Sequence, residues 1–184
     1  MKRFWSLALA CCMVLSMLPA GAAAGDGETI ASGGTSYFDW VLDSQGVLTV
    51  EGYTIPDYAS PSNMPWYDYR DQIRKVVLIN SGSISIGSYA FYGCSNLTSI
   101  NLPDSVKFIG TEAFSECDSL TSLDVPDSIV DIEEWAFSDC KSLSAITLSE
   151  QLVEIGMQTF MDCINLKEIT IPDGVTMLPP SLFA

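Results

Sequence analysis

Apolar residues recur at a fixed interval of 23 positions through the second half of the chain. Three columns of identical residues show the interval: the phenylalanines Phe91, Phe114, Phe137, Phe160 and Phe183, the cysteines Cys94, Cys117, Cys140 and Cys163, and the leucines Leu97, Leu120, Leu143 and Leu166. Such a period is typical of a solenoid, because one short unit cannot bury its apolar face without its neighbours. We therefore predict that Phe91, Phe114, Phe137 and Phe160, together with the four cysteines, form the repeat core.

Each unit is predicted to begin with a short strand. In the unit 97–119, Ile100 and Leu102 are expected to face the core and Asn101 the solvent, because side chains alternate along a strand. Pro103 ends the strand, since it has no N–H for the ladder. The same alternation assigns the inward column to Val77, Ile100, Leu123, Ile146 and Ile169. It assigns the outward columns to Val76, Ser99, Ser122, Ala145 and Glu168, and to Leu78, Asn101, Asp124, Thr147 and Thr170.

The second half of each unit is predicted to close with a helical turn. Val106 and Ile109 form a second inward pair. Thr111 is a candidate N-cap, because its hydroxyl can accept a hydrogen bond from a first-turn N–H group. The helical turn would carry Ala113 and Phe114 into the core. Strands combined with helical turns place the solenoid in the α+β class.

The pattern LxxLxLPxxLxxIGxxAFxxCxx resembles the BspA-like, or treponemal-type, leucine-rich repeat of bacterial surface proteins. The resemblance implies an α+β leucine-rich-repeat solenoid of 23-residue repeats over residues 74–184. Four units are complete and a fifth, 166–184, is cut short; the complete units are 74–96, 97–119, 120–142 and 143–165. The first unit is degenerate, with Arg74 in the leucine column and Ser83 in the valine column. Such a departure is expected beside a cap.

Residues 1–24 are predicted to be a secretory signal peptide. Lys2 and Arg3 supply the positive start, an apolar run follows from Phe4 to Leu18, and small residues offer cleavage sites up to Ala24. An uncleaved membrane anchor is the alternative, but the apolar run is shorter than the ~20 residues that a spanning helix needs. The mature protein is therefore expected to be secreted or held at the cell surface.

Residues 25–73 are interpreted as an N-terminal cap that covers the apolar end of the solenoid. Residues 25–36 are small and polar, and we expect them to be mobile. Residues 37–52 alternate around a turn and predict a β-hairpin. Pro65 is suited to the first turn of a short helix that ends near Ile73. This segment also resembles the sequence that precedes such repeats in many clostridial surface proteins, which implies a cap and no separate activity.

The formal net charge of −15 excludes a nucleic-acid partner, because phosphate binding requires lysine and arginine. Two acidic columns follow the repeat: Asp104, Asp127, Glu150 and Asp173, and Glu116, Asp139 and Asp162. Clustered carboxylates are calcium ligands, so a calcium-stabilised acidic scaffold stays open, although no DxDxDG loop is present. No other metal and no cofactor is expected. The chain has no histidine, which removes the common nucleophile–base pairs and argues against an enzyme.

The cysteines are expected to be buried free thiols. Stacked units would bring their Cα atoms within bridging range, but parallel side chains are poorly aimed for the dihedral angle of a disulfide. Cysteine is also a suitable small residue for a core.

The outward strand columns are the remaining candidate binding surface, since repeat proteins commonly bind along such extended faces. The candidate ligand residues are Ser99, Asn101, Ser122, Asp124, Thr147, Glu168 and Thr170. Tyr89 and Trp135 occupy one column on the helical side and are expected to pack locally.

Taken together, the residues predict a non-catalytic exported module that binds proteins or glycans, and the family resemblance implies adhesion to host matrix or to other microbes. A spacer or targeting portion of a longer exported protein or enzyme stays open as an alternative. No polar cap follows Phe183, so we expect either a chain that continues beyond Ala184 or self-association through this end. No stable membrane span is expected after signal cleavage.

Overall fold

The computed structural model describes residues 27–80 and 84–183. The predicted signal peptide, residues 1–24, lies outside them. The strands are β1 (Thr29–Gly34), β2 (Phe38–Asp43), β3 (Val47–Gly52), β4 (Lys75–Asn80), β5 (Ile84–Ile86), β6 (Ser99–Ile100), β7 (Val106–Ile109), β8 (Ser122–Asp124), β9 (Asp131–Ile132), β10 (Ala145–Thr147) and β11 (Glu154–Ile155). Two 3-10 helices, Pro61–Asn63 and Tyr67–Gln72, lie between β3 and β4.

The described strands form three sheets that pass from one coil of the solenoid to the next. The first has the order β1-β2-β3-β4-β6, with β1, β2 and β3 antiparallel and β3, β4 and β6 parallel. The second joins β8 to β10 and the third has the order β5-β7-β9-β11, both parallel. Ile146 pairs with Leu123 and Ile155 pairs with Ile132, so equivalent residues of successive coils lie side by side.

The phenylalanine column forms a continuous stack of rings that is buried as far as Phe160. Phe91, Phe114 and Phe137 are fully buried, and Phe160 is nearly so. Adjacent ring centroids lie between 5.3 and 5.9 Å apart along the whole column to Phe183. These side chains therefore connect one coil to the next as well as filling each coil.

Trp66 extends this ring stack towards the N-terminal end. Its ring lies 5.7 Å from that of Phe91 at an interplanar angle of 16°, and its Nε1–H donates a hydrogen bond of 2.8 Å to the Ala90 carbonyl. It also contacts the rings of Phe38 and Trp40 from the predicted hairpin, which β2 and β3 form. The fully buried Trp66 thus occupies the place that precedes Phe91 in the column.

The register predicted for the first unit is wrong by one residue. Val76, predicted to face outward, pairs with the inward Ile100 and is fully buried, and Leu78 is 5% exposed. Ile73, rather than Arg74, occupies the leucine position and is fully buried. The reason is an additional residue between Ile73 and Leu97, which shifts the strand by one place and turns every side chain to the opposite face.

The predicted helical turn is also wrong, and no α-helix occurs among the described residues. Thr111 does not act as an N-cap; its N–H and its hydroxyl both donate to Glu133 Oε2, at 2.9 and 2.8 Å. Glu112 and Glu116 have φ angles of 53° and 61°, which interrupt a right-handed helix. The described residues therefore form strands, turns and short 3-10 helices, and not the strands with helical turns that the α+β prediction assumed.

These turns form what we call the turn ladder, residues 88–93, 111–116, 134–139 and 157–162. Its N–H groups alternate between two kinds of partner. The Ala113 and Ser115 N–H groups donate within the coil, to Gly110 and Glu112, whereas the Phe114 N–H donates to the Ala136 carbonyl of the next coil at 2.8 Å. The alternation pairs neighbouring coils through their backbones, which a closed helical turn would not do.

Residues 27–36 are not the mobile segment that their composition predicted. Residues 29–34 form β1, which pairs with β2 along most of its length. A Cβ atom on Gly33 would lie 2.7 Å from Trp40 Nε1, and one on Gly34 would lie 2.2 Å from Asp39 Oδ1. The glycines therefore permit close approach of the neighbouring strand.

Candidate functional site

The outward residues of β6, β8, β10 and the segment 168–170 form one surface, which we call the strand face. All seven predicted ligand residues are exposed on it: Ser99, Asn101, Ser122, Asp124, Thr147, Glu168 and Thr170. Ala145 is exposed between them. The structure therefore brings the predicted residues together on one side of successive coils.

Asn101 has a structural partner on this surface. Its Oδ1 accepts a hydrogen bond of 2.8 Å from the Leu78 N–H, and its Nδ2 lies 3.3 Å from the Leu78 carbonyl. Both ends of the amide are therefore engaged with the preceding coil. The hydroxyl and carboxylate groups further along the strand face are better placed to meet a ligand.

A groove of about 660 Å³ opens at the C-terminal part of the strand face. Its walls are residues 144–148 of one coil and residues 168–170 of the next, with Glu150 and Pro172 at the margin. Thr147 and Thr170 present hydroxyl groups there, and Glu168 presents a carboxylate. This combination can donate and accept hydrogen bonds along an extended polar ligand.

A second concavity, of about 260 Å³, lies on the turn ladder, and we call it the turn cavity. Its lining combines aromatic, acidic and hydroxyl side chains: Tyr92, Glu112, Ser115, Glu116, Trp135 and Asp139, together with Ser138 and Met161. Sequence reasoning placed Trp135 in local packing and missed this site. The available signal was that Tyr92, Ser115, Ser138 and Met161 share one column, beside the column of Glu116 and Asp139.

The turn cavity is electronegative. The Tyr92 hydroxyl donates a hydrogen bond to Glu116 Oε1. Burial raises the pKa of Tyr92, and that hydrogen bond and the charge of Glu116 raise it further. Lys141 Nζ lies 3.5 Å from Asp139 Oδ1 and 3.2 Å from Asp118 Oδ1, so one carboxylate of the cavity has a cationic neighbour.

The acidic columns do not converge on a metal centre in the described residues, where no group of three or more Asp, Glu, Cys or His side chains could hold a metal ion. One member of the first column has a backbone partner: Asp127 Oδ1 accepts a hydrogen bond of 3.0 Å from the Glu150 N–H of the next coil. This bond joins neighbouring coils instead of closing the local turn that an Asp after proline suggests.

The cysteine column is buried, and all four side chains are free thiols. The Cys117, Cys140 and Cys163 thiols donate to the carbonyls of Phe91, Phe114 and Phe137, at 3.3, 3.1 and 3.0 Å. Burial raises the pKa of every thiol in the column, and it raises that of Cys163 to about 11.

We expect the native thiols to resist alkylation near neutral pH, because burial disfavours the reactive thiolate. Iodoacetamide followed by peptide mass spectrometry should leave Cys94, Cys117 and Cys140 unmodified, whereas prior denaturation should modify all four. Cys163, which is 8% exposed, should react first among them. Folding raises the pKa of the Cys163 thiol, so the protonated thiol contributes its full stabilisation of the folded state below the ordinary thiol pKa. This stabilisation is lost as the pH rises towards about 11. Rapid modification of Cys117 in the native protein would contradict this prediction.

No helix in the described ranges 27–80 and 84–183 has the length and apolar character of a membrane span.

The parallel ladders, the repeated inward leucines and the ring stack define a leucine-rich-repeat solenoid. A family model for the BspA type leucine rich repeat region matches residues 66–184 in 6 copies, and the chain belongs to this family. The predicted resemblance is confirmed. The match begins at Trp66, the residue that continues the phenylalanine column.

Two solved bacterial leucine-rich-repeat proteins share this architecture. One from Bacteroides ovatus is 43% identical, with a TM-score of 0.50 over 53% of this chain and 24% of its own length. One from Eubacterium ventriosum is 24% identical, with a TM-score of 0.62 over 80% of this chain and 45% of its own length. A leucine rich cell surface protein from Faecalibacterium prausnitzii is 17% identical, with a TM-score of 0.38 over 76% of this chain and 54% of its own. The chain thus spans about a quarter of the length of the Bacteroides ovatus protein and under half of the length of the Eubacterium ventriosum protein. No curated protein sequence matches significantly.

Proposed function

We propose that this chain is a non-catalytic, exported interaction module that binds a protein partner through its strand face. The observation that carries the proposal is the exposed row of small polar side chains that ends in the groove between residues 144–148 and 168–170. Adjacent coils repeat the same positions at close spacing, so an extended partner can make similar contacts with several units. Adhesion to host matrix or to other microbes is the role that suits this surface and the family.

Export and capping belong to the same proposal. Residues 1–24 direct secretion, which their positive start and short apolar run support. Residues 25–73 close the N-terminal end of the repeats, residues 74–184. Support for this closure comes from the parallel pairing of β3 with β4 and from the buried position of Trp66.

The test begins with protein recovered from the culture medium or the cell surface. Its intact mass should correspond to a chain that begins at Gly25. Binding to immobilised collagen, laminin and fibronectin, and to bacterial cells, is then measured by surface plasmon resonance and by cell pull-down. We expect saturable binding to at least one of these targets, with no covalent change in it.

Two variants locate the surface. The double variant Thr147→Arg with Thr170→Arg fills the groove with bulk and charge. It should weaken binding by about tenfold or more, because a charge that a bound partner covers without a counter-charge costs at least about 1.4 kcal/mol. Val153→Arg is the matched control, because Val153 is 62% exposed beside the third sheet and lies outside the groove. Equal affinities for the double variant and for the unmodified protein would rule out the strand face.

A further inference from the structure

The turn cavity lies on the turn ladder, away from the residues that line the strand-face groove. Aromatic and acidic side chains form its walls. Trp135 and Tyr92 supply aromatic surface and Met161 a polarizable thioether. Glu112, Glu116 and Asp139 supply carboxylates at the rim.

Two serine hydroxyls add polar groups to the lining of the cavity. Ser115 lines the cavity and is 5% exposed, yet its hydroxyl makes no hydrogen bond to another described residue. A hydroxyl that has no partner in the protein can donate to or accept from a bound molecule. The Ser138 hydroxyl, which also lines the cavity, reaches only Asp139 Oδ2, at the long distance of 3.5 Å. The floor of the cavity therefore offers hydrogen-bonding capacity that the protein does not use.

We propose that the turn cavity binds an organic cation, namely a guanidinium or ammonium group. An aromatic face attracts such a group through its quadrupole, and carboxylates around it neutralise the charge and accept its N–H groups. The volume of about 260 Å³ is below that of sites for drug-sized molecules, which suits one side chain or one small ammonium compound. The arginine or lysine side chain of a basic protein is one source of this chemistry, and a free quaternary ammonium compound is the other.

The charges around the site are compatible with this ligand. Glu112 and Glu116 have no ion pair among the described residues, and each interacts with a tyrosine, Tyr89 and Tyr92. Asp139 is the one carboxylate of the cavity with a cationic neighbour, Lys141. A ligand cation would therefore meet two carboxylates that the protein leaves without a counter-ion.

The test uses the Trp135 indole N–H signal in a ¹H–¹⁵N spectrum of the full mature protein. The probes are the capped peptide Gly-Arg-Gly, the same peptide with citrulline, and tetramethylammonium chloride. Citrulline keeps the size and shape of arginine without its charge. We expect the arginine peptide to shift the Trp135 signal in a saturable, salt-sensitive manner, and the citrulline peptide to leave it in place.

The chain itself offers matched variants for this test. Trp135→Gln removes the aromatic wall with little backbone strain, because Gln158 occupies the same column with a φ of 55° against 53° for Trp135. Glu116→Gln removes a charge and keeps an acceptor for Tyr92. Each should weaken binding about tenfold, as expected for a desolvated cation–π or ionic contact. Because Trp135→Gln lacks the indole signal, its binding is followed through the backbone N–H signals of Ser115 and Ser138, which line the cavity. Asp162→Asn, in the column of Glu116 but outside the cavity lining, should leave the affinity unchanged.

The outcomes separate the two sources of the cation. A response to the arginine peptide indicates a basic protein, and a response to tetramethylammonium alone indicates a free ammonium compound; both support the cation site. The proposal is overturned if no probe shifts the Trp135 signal, if the citrulline peptide binds as well as the arginine peptide, or if Asp162→Asn weakens binding as much as Glu116→Gln. Binding of a protein partner at the strand face, measured in parallel, should persist in Trp135→Gln. The proposal for the strand face and the proposal for the cation site can therefore be rejected independently of each other.

Discussion

Replacing Trp66 with alanine is expected to lower the free energy of unfolding by about 3–5 kcal/mol, the range for truncation of a large buried aromatic side chain. The residue is fully buried and contacts rings on both sides, those of the hairpin and that of Phe91. Its loss would leave a cavity where the N-terminal segment joins the repeats. Urea denaturation followed by circular dichroism measures the effect, and a reduced dependence on urea would show that the segment no longer unfolds with the solenoid.

The variant Trp66→Phe separates the ring from its hydrogen bond. Phenylalanine can keep the stacking on Phe91, but it leaves the Ala90 carbonyl without the donor that Trp66 Nε1 provides. An unsatisfied buried acceptor costs about 1–3 kcal/mol. Trp40→Phe is the matched control: Trp40 is 6% exposed, and a conservative change of apolar volume there should cost less than about 1.5 kcal/mol. If both variants lose the same stability, the hydrogen bond to Ala90 contributes nothing of its own.

Periodicity alone identified the solenoid, the buried columns and the exposed strand columns after the first unit. That success has a physical cause. Each column is a row of equivalent backbone positions, and stacking forces equivalent positions into equivalent surroundings. Four copies of a phenylalanine or a cysteine in one column are therefore four indications that this position is buried. The helix or strand propensity of a single residue gives no such indication.

The same reasoning failed where the period changes. Counting back 23 residues from Leu97 reaches Arg74, whereas the buried residue is Ile73. Hydrophobic character was the better guide there, since Ile73, Val76 and Leu78 are apolar and inward. A register derived from spacing alone carries an error of one residue through the whole strand, and it inverts the two faces.

Local propensity failed in the turn ladder for a different reason. Residues such as Glu112, Trp135 and Gln158 are not expected at positive φ, where glycine and asparagine are favoured. The energy of pairing each coil with the next through backbone hydrogen bonds outweighs this local cost. Interactions between coils are not visible in a window of one repeat, so the sequence suggested a helix and concealed the turn cavity.

The second large effect is expected at the middle of the ring stack. Phe137 is fully buried, with ring centroids 5.4 Å from Phe114 and 5.8 Å from Phe160. Phe137→Ala removes both ring contacts and opens a cavity between two coils, which should cost about 3–5 kcal/mol. Because a solenoid is stabilised by contacts between neighbouring coils, this change should also weaken the coupling between the two halves of the repeat array. Hydrogen exchange should then show faster opening of residues 143–183 than of residues 88–117.

The opposite end of the same column supplies the control. Phe183 is 52% exposed and has one ring contact, with Phe160 at 5.9 Å. Half the burial of a phenylalanine contributes about 1 kcal/mol, so Phe183→Ala should cost about that amount and leave the exchange of residues 88–117 unchanged. Phe137→Leu, which keeps most of the volume, should fall between the two alanine variants. Equal losses for Phe137→Ala and Phe183→Ala would mean that stability depends on the number of phenylalanines and not on contact between successive coils. A graded series would instead show that the ring stack couples the coils, because Phe137 contacts a ring on each side whereas Phe183 contacts only that of Phe160.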